Sequence, residues 1–191
     1  MKTEDCLDLL DTLLLTAAKK APENTPLYQN AEAVLVMARA YESDGRVFFK
    51  SGDPVNALAS AWYGSGWIHF GIAYGLLETS LTAGCPFFAP CKTLPPSFAE
   101  KLEEKTRRYQ RLLDTARTSV ECAGEPATAG CIFSQKVLFI AALYAAQGAR
   151  YLGYGRFEDA LACFSYGHGW LDAGVTSGLF LITNHRDLFT V

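Results

Sequence analysis

The sequence predicts an all-α protein: two tandem three-helix up-and-down bundles, packed against each other as a pseudo-dimer. Three observations carry that prediction. First, the chain repeats itself. Residues 31–77, AEAVLVMARAYESDGRVFFKSGDPVNALASAWYGSGWIHFGIAYGLL, align without a gap on residues 134–180 at an offset of 103. Val34, Leu35 and Tyr41 meet Val137, Leu138 and Tyr144, and Tyr63-Gly64 and Gly66-Trp67 meet Tyr166-Gly167 and Gly169-Trp170. Over positions 9–76, 21 of 68 residues are identical at this offset, so the units are copies of one ancestral element. Second, apolar residues recur at helical spacing throughout. Third, no segment alternates with period two, so essentially no sheet is expected.

The elements follow in order. Unit 1 covers 1–80. Its first helix carries Leu7, Leu10, Leu14 and Ala17 on one face, and Pro22 and Pro26 mark the break after it. A second helix is expected from about Leu27 to Lys50, closed by Ser51-Gly52-Asp53-Pro54. Gly52 suits the position just past a helix, and Pro54 the first turn of the next one. The third helix is expected to run on to about Ser80. A proline-rich linker, 81–96, joins the units. Unit 2 covers 97–191. Ser97-x-x-Glu100 reads as a capping box, and Phe98, Leu102, Tyr109, Leu113, Ala116 and Val120 form an apolar stripe. Gly124 and Pro126 break the chain. Helix five is expected from about Cys131 to Gly153, and helix six from Phe157 to about Thr183, with Glu158 and Asp159 where the helix dipole favours acids.

Glycines inside the third helix of each unit need an explanation, because each costs about 1 kcal/mol relative to Ala. Gly71 and Gly75, and their copies Gly174 and Gly178, are four residues apart. Gly64 and Gly167 extend nearly the same face. A missing side chain there lets a neighbouring helix of the unit, or the matching helix of the other unit, approach closely. The third helices are therefore expected at or near the contact between units. Residues 54–77 carry no formal charge, but Asn56, Ser60, Ser65 and His69 interrupt them, and the second copy carries Glu158, Asp159 and Asp172. A buried core helix is expected, not a membrane span.

Half of the 191 residues are hydrophobic, enough for a substantial core, and the formal net charge is -3. That balance argues against a general nucleic-acid binder. The one basic run, Lys101 to Arg111, is interleaved with Glu103 and Glu104 and reads as a solvated helix face. The N-terminus, MKTEDCLDLLDTLL, lacks the pattern of a signal peptide, so a cytoplasmic protein with reduced thiols is expected. None of the six cysteines makes a CxxC pair, and the spacing of Cys85 and Cys91 matches no standard zinc site. No metal or cofactor is expected.

The candidate binding residues are Tyr63, Ser65, Trp67 and His69 in unit 1, and Tyr166, His168, Trp170 and Asp172 in unit 2. His168 and Asp172 share a helix face, so the carboxylate could fix the imidazole tautomer. The plainer reading is a satisfied polar pair at the contact between helices. A converging Ser65, His69, His168 and Asp172 would make a Ser–His–Asp arrangement conceivable, but no nucleophile elbow accompanies it. The aromatic residues read as core, or as the walls of an apolar pocket between units.

The run Tyr166, His168, Gly169, Trp170, Leu171, Asp172, Ala173 and Gly174 resembles archaeal proteins of the uncharacterised family called domain of unknown function 357. The resemblance implies small up-and-down three-helix bundles, here fused as a pair, and it implies no reaction. Unit 1 departs from the run, with Ser65 in place of His168 and His69 in place of Asp172. A weaker likeness to tetratricopeptide hairpins involves Gly148, Tyr151, Gly155, Phe157, Ala160 and Phe164, but those repeats come every 34 residues. The expectation is therefore a non-enzymatic interaction module for a protein or small ligand. The alternative is an enzyme or small-molecule binder with a site around His168 and Asp172. No nucleic-acid or membrane partner is expected, and the chain should be a pseudo-dimeric monomer or a weak homodimer.

Overall fold

The computed structural model describes residues 1–80 and 90–190. Six helices dominate: α1 (Thr3–Thr16), α2 (Pro26–Lys50), α3 (Pro54–Ala73), α4 (Ala99–Arg117), α5 (Ala129–Gly153) and α6 (Phe157–Thr176). Each unit packs its three helices together, and α3 and α6 cross at the centre of the molecule.

The two copies use the same local devices. Thr25 and Thr128 cap α2 and α5, accepting from the backbone N–H of Tyr28 and Cys131 at 3.2 and 3.3 Å. Gly52 and Gly155 close α2 and α5 with φ of 80° and 70°. In each case the next N–H reaches back to a carbonyl five residues earlier, Asp53 to Phe48 and Arg156 to Tyr151. Pro54 then opens α3 with its fixed φ.

Gly75 and Gly178 are corrected by the structure. They are not helix-contact glycines: they sit just past α3 and α6 with φ of 81° and 75°, and an added Cβ would meet nothing within 4 Å. The N–H of Leu76 and Leu179 bonds back to the carbonyl of Gly71 and Gly174, the left-handed helix stop. The third helices therefore end at Ala73 and Thr176, short of the expected Ser80 and Thr183. The residues beyond form short strands instead. β1 (Ala17–Lys19) pairs antiparallel with β2 (Leu77–Thr79), and β3 (Val120–Cys122) with β4 (Phe180–Ile182). These ribbons tie the end of each unit's first helix to the end of its third. Three residues are too few to show a period of two, so the expectation of essentially no sheet missed them. The Ser97 capping box is also corrected: α4 follows a 3₁₀ turn at Pro96–Phe98, and its N-cap is Phe98, without a side-chain cap.

The glycines within α3 and α6 divide into two sets. Gly64 and Gly167 admit the first and second helices of their own unit, with an added Cβ 2.7 Å from Leu10 and 3.1 Å from Leu113. Gly71 and Gly174 face Val34 and Val137 of α2 and α5, and Leu77 and Phe180 after the helix stop. The contact between units is made by a third pair, Gly66 and Gly169. A Cβ on Gly66 would lie 2.6 Å from the Tyr166 carbonyl oxygen and 3.1 Å from the Gly169 Cα. A Cβ on Gly169 would collide with the Tyr63 carbonyl oxygen, the same clash with the copies exchanged. A pseudo-twofold axis thus passes between Gly66 and Gly169, where the two backbones touch.

The described end of the linker is pinned to α6. The N–H groups of Cys91 and Leu94 donate to Asp159 and Glu158, each at 2.7 Å. These first-turn acids therefore hold chain as well as complementing the helix dipole. One helix among the described residues, α5, is long and apolar enough to cross a membrane by length and composition. It is not α3, whose side chains are almost all buried.

The crossing predicts opposite signs for two glycine substitutions. Gly169→Ala forces backbone apart and should destabilise by about 1–3 kcal/mol or more. Gly153→Ala, at an open position at the end of α5, should be neutral or stabilising by up to about 1 kcal/mol. Urea unfolding followed by circular dichroism checks both. Equal effects would remove the assigned role of Gly169.

Candidate functional site

The residues singled out in the sequence lie at the crossing of α3 and α6, and they form two pairs related by the pseudo-twofold axis. On one side the Tyr63 hydroxyl donates to Asp172 Oδ2 at 2.9 Å. On the other, the Tyr166 hydroxyl and His69 Nδ1 lie 3.1 Å apart. Tyr63 matches Tyr166 and His69 matches Asp172 at the offset of 103, so each tyrosine reaches one turn along the opposite helix to the same position.

Asp172 is fully buried, and its charge is met from three directions. Besides Tyr63, the backbone N–H of Thr190 donates to Oδ1 at 3.0 Å and its hydroxyl to Oδ2 at 2.7 Å. A buried carboxylate holding several donors is stable where an unpaired one would not be. His168 Nε2 lies 3.1 Å from the Leu188 carbonyl oxygen, in the same C-terminal segment. Its ring lies against Tyr63 at 5.3 Å and edge-on to Phe189. The segment after β4 thus folds back over α6 and covers both residues. No spacing in the sequence marks this, because the partners are one carbonyl, one amide and one hydroxyl near the C-terminus, with no side-chain pattern.

Burial governs the titrations. It pushes the His69 imidazole down to about 4. It also pushes His168 down, against the opposing pull of the Asp172 charge and the Leu188 bond. Burial first, and then the Asp172 charge, hold the Tyr63 hydroxyl well above its ordinary value. Both imidazoles are therefore neutral at pH 7, as buried structural groups are.

Ser65 donates to the Ala61 carbonyl in its own helix at 2.8 Å, the usual back-bond of a helical serine. Among the described residues, Ser65, His168 and Asp172 share no hydrogen bond, so the conceivable triad is not formed. Trp67 and Trp170 are buried beside the crossing, and neither indole N–H has an acceptor among the described residues. Grooves among the described residues are open elsewhere. One of about 570 Å³ is lined by Lys2, Phe49, Pro54, Leu94, Pro95 and Phe98, and a smaller one lies along Pro95, Pro96 and Phe157. Neither includes a residue of the crossing.

No group of three or more metal-ligating side chains occurs among the described residues. Cys91 lies beside Cys6, and Cys122 beside Cys131. Cys85 lies outside the described residues. Along the basic run, Lys101 pairs with Asp53 at 2.7 Å, Arg107 with Glu103 at 2.8 Å and Arg108 with Glu104 at 3.9 Å. Lys105 is buried over the ring of Tyr109, and burial pushes its ammonium down to about 8.

The family described as Protein of unknown function (DUF357) matches the chain twice, over residues 7–77 and 108–180. The chain belongs to this family, as a tandem pair of its units. No curated protein and no solved structure matches it significantly. The first match runs from within α1 to the first residue of β2, and the second from the middle of α4 to the first residue of β4.

Two measurements test this reading of the crossing. Tyr63→Phe removes a donor to a buried carboxylate and should cost about 1.5–3 kcal/mol, whereas Tyr166→Phe, facing a neutral imidazole, should cost about 1. Equal losses in denaturant unfolding would contradict the assigned asymmetry. The second is pH dependence. Between about pH 6.5 and 4 the unfolded chain protonates His69 while the folded chain does not. Stability should therefore fall with acidification, by up to about 1.4 kcal/mol per pH unit. His168 acts with the same sign. Thermal unfolding across this range should show a shallower slope for His69→Gln than for the wild type. An unchanged slope would exclude His69 as a source.

Proposed function

We propose that the chain is a non-catalytic helical binding module of the cytoplasm, in which the α3–α6 crossing is the rigid frame and the outer face of α5 is the recognition surface. The observation that carries this reading is on α5. Ile132, Phe139 and Leu143 are 59%, 66% and 52% exposed and follow one another along one side of the helix. Phe139 and Leu143 are one turn apart, with Lys136 between them and Ile132, and bulky apolar side chains grouped on a folded surface mark a place where something binds. The candidate residues at the crossing support the same reading from the other direction. The hydrogen bonds of Ser65, His69, His168 and Asp172 go to Ala61, Tyr166, Leu188, Tyr63 and Thr190, so these four side chains are engaged within the chain. The described cysteines are free thiols, in keeping with a reducing compartment. The ion pairs along Lys101–Arg108 speak against a nucleic-acid surface there.

One observation favours the alternative, a small-molecule or catalytic site at His168 and Asp172. Both are covered by residues 188–190, a short segment near the C-terminus, and its displacement would uncover a buried imidazole beside a carboxylate. A thermal-shift screen of ligands and metals on the wild type and His168→Ala separates the two readings. A compound that stabilises the wild type alone would favour the alternative.

The α5 surface is tested with a neutral apolar dye. The folded wild type should enhance Nile red fluorescence, and the double variant Phe139→Ser, Leu143→Ser should lose most of that signal while keeping its unfolding midpoint, since both side chains are exposed. A signal equal in the two proteins, or a variant that unfolds as a core variant does, would overturn the reading.

A further inference from the structure

Building on the reading of α5 as the recognition surface, we propose that its occupant is an anionic lipid surface, on which the protein lies with α5 flat against the headgroups. Three observations carry this.

The first is the internal comparison. α2 and α5 are copies of one helix, and both pack one face inward. Position 139 is exposed in both copies, as Val36 and as Phe139. Around Val36 the surface is of mixed charge: Glu32, Arg39 and Asp44 stand where α5 has Gln135, Ala142 and Gln147. The α2 face also exposes Val47, the match of Arg150, but its valines are smaller than Phe139 and Leu143 and its cations stand among acids, so the pairing of bulky apolar side chains with cations alone belongs to the second copy.

The second is charge. From 126 to 157 the chain has no carboxylate and three cations, of which Arg156 is paired with Asp159 at 2.8 Å, leaving Lys136 and Arg150 as the charges of the α5 face. The matching stretch 23–54 has five acids and three bases. On a chain of net charge -3 this is a local reversal of sign. Lys136 stands one turn before Phe139 and Arg150 two turns after Leu143, so the two cations bracket this pair, and Tyr154 follows, 66% exposed, with the Arg150 guanidinium 5.8 Å from its ring. Apolar side chains flanked by cations and a tyrosine suit the boundary between acyl chains and anionic headgroups.

The third concerns the competing occupants. A second copy docked through the same face by a twofold axis would run α5 antiparallel to α5. Centred on Leu143, that pairing sets Lys136 opposite the other Arg150 twice, with no acid on the face to offset either. A span is disfavoured too, because Val137, Ala141, Ala145 and Gly148 are buried, and a Cβ on Gly148 would lie 2.5 Å from the Phe164 ring. α5 can rest on a bilayer without leaving α6, but it cannot cross one without doing so.

The test is flotation of the full chain with vesicles of equal parts phosphatidylcholine and phosphatidylglycerol, and with vesicles of phosphatidylcholine alone. The wild type should float with the anionic vesicles and at least about tenfold less with the neutral ones. Lys136→Glu with Arg150→Glu should lower anionic binding about tenfold or more, and Phe139→Ser with Leu143→Ser should abolish it. Val36→Ser, on the matching face of α2, should leave binding unchanged. Circular dichroism should show all variants folded. The proposal is overturned if the wild type does not bind anionic vesicles, or if the charge-reversed variant binds as the wild type does. It is also overturned if light scattering shows a wild-type dimer that the Phe139, Leu143 variant dissolves, since a second copy then covers the face. If vesicles fail while Nile red still separates wild type from variant, α5 remains a recognition surface for another partner. If both fail, the reading of α5 falls with the proposal.

Discussion

Everything in this molecule is arranged around one contact, the approach of the Gly66 backbone to that of Gly169. Only glycine lets two helices touch at Cα, and once they do, the flanking side chains have fixed places. Tyr63 and Tyr166 must pass over the opposite helix, and their hydroxyls arrive at position 172 and position 69. α1, α2, α4 and α5 then pack against the outer sides of the crossed pair, admitted by Gly64, Gly71, Gly167 and Gly174. The glycines of α3 and α6 cost helix propensity, and close packing on two sides of each helix offsets it.

Much of this was legible in the sequence. The offset of 103 revealed the duplication because paired Trp and Gly residues keep their spacing even where the rest has diverged. Helix starts at Pro54 and Phe157 were marked by turn chemistry. The stops were missed because Gly75 and Gly178 were read as packing glycines: spacing alone does not separate a glycine that admits a neighbour from one that adopts a positive φ. Gly66 and Gly169 were visible as a matched pair, but a helical wheel does not tell which of two glycine faces meets the other copy.

The candidate residues gather at one place, but their pairing was not legible. His168 and Asp172 share a helix face, which suggested that they bond to each other. The structure sends them to the C-terminal segment and to Tyr63 instead. Such partners are backbone atoms and a residue 109 positions away, which no local spacing encodes. The exposed side of α5 was hidden for a different reason. Its apolar pattern is the same whether it faces a core or solvent, and only the packing of α6 on one side shows that the other is left open.

Fusion also changes what the two tyrosines can ask of their partners. In a true homodimer the residue at this position must serve both sides of the axis at once, so a mutation enters twice or not at all. A covalent pair is released from that rule. One copy now presents an acid and the other an imidazole to identical hydroxyls, and the two halves of the crossing respond to protons differently. Where a homodimer would hold a self-complementary joint, this chain has one with a left and a right, whose two sides selection can adjust separately.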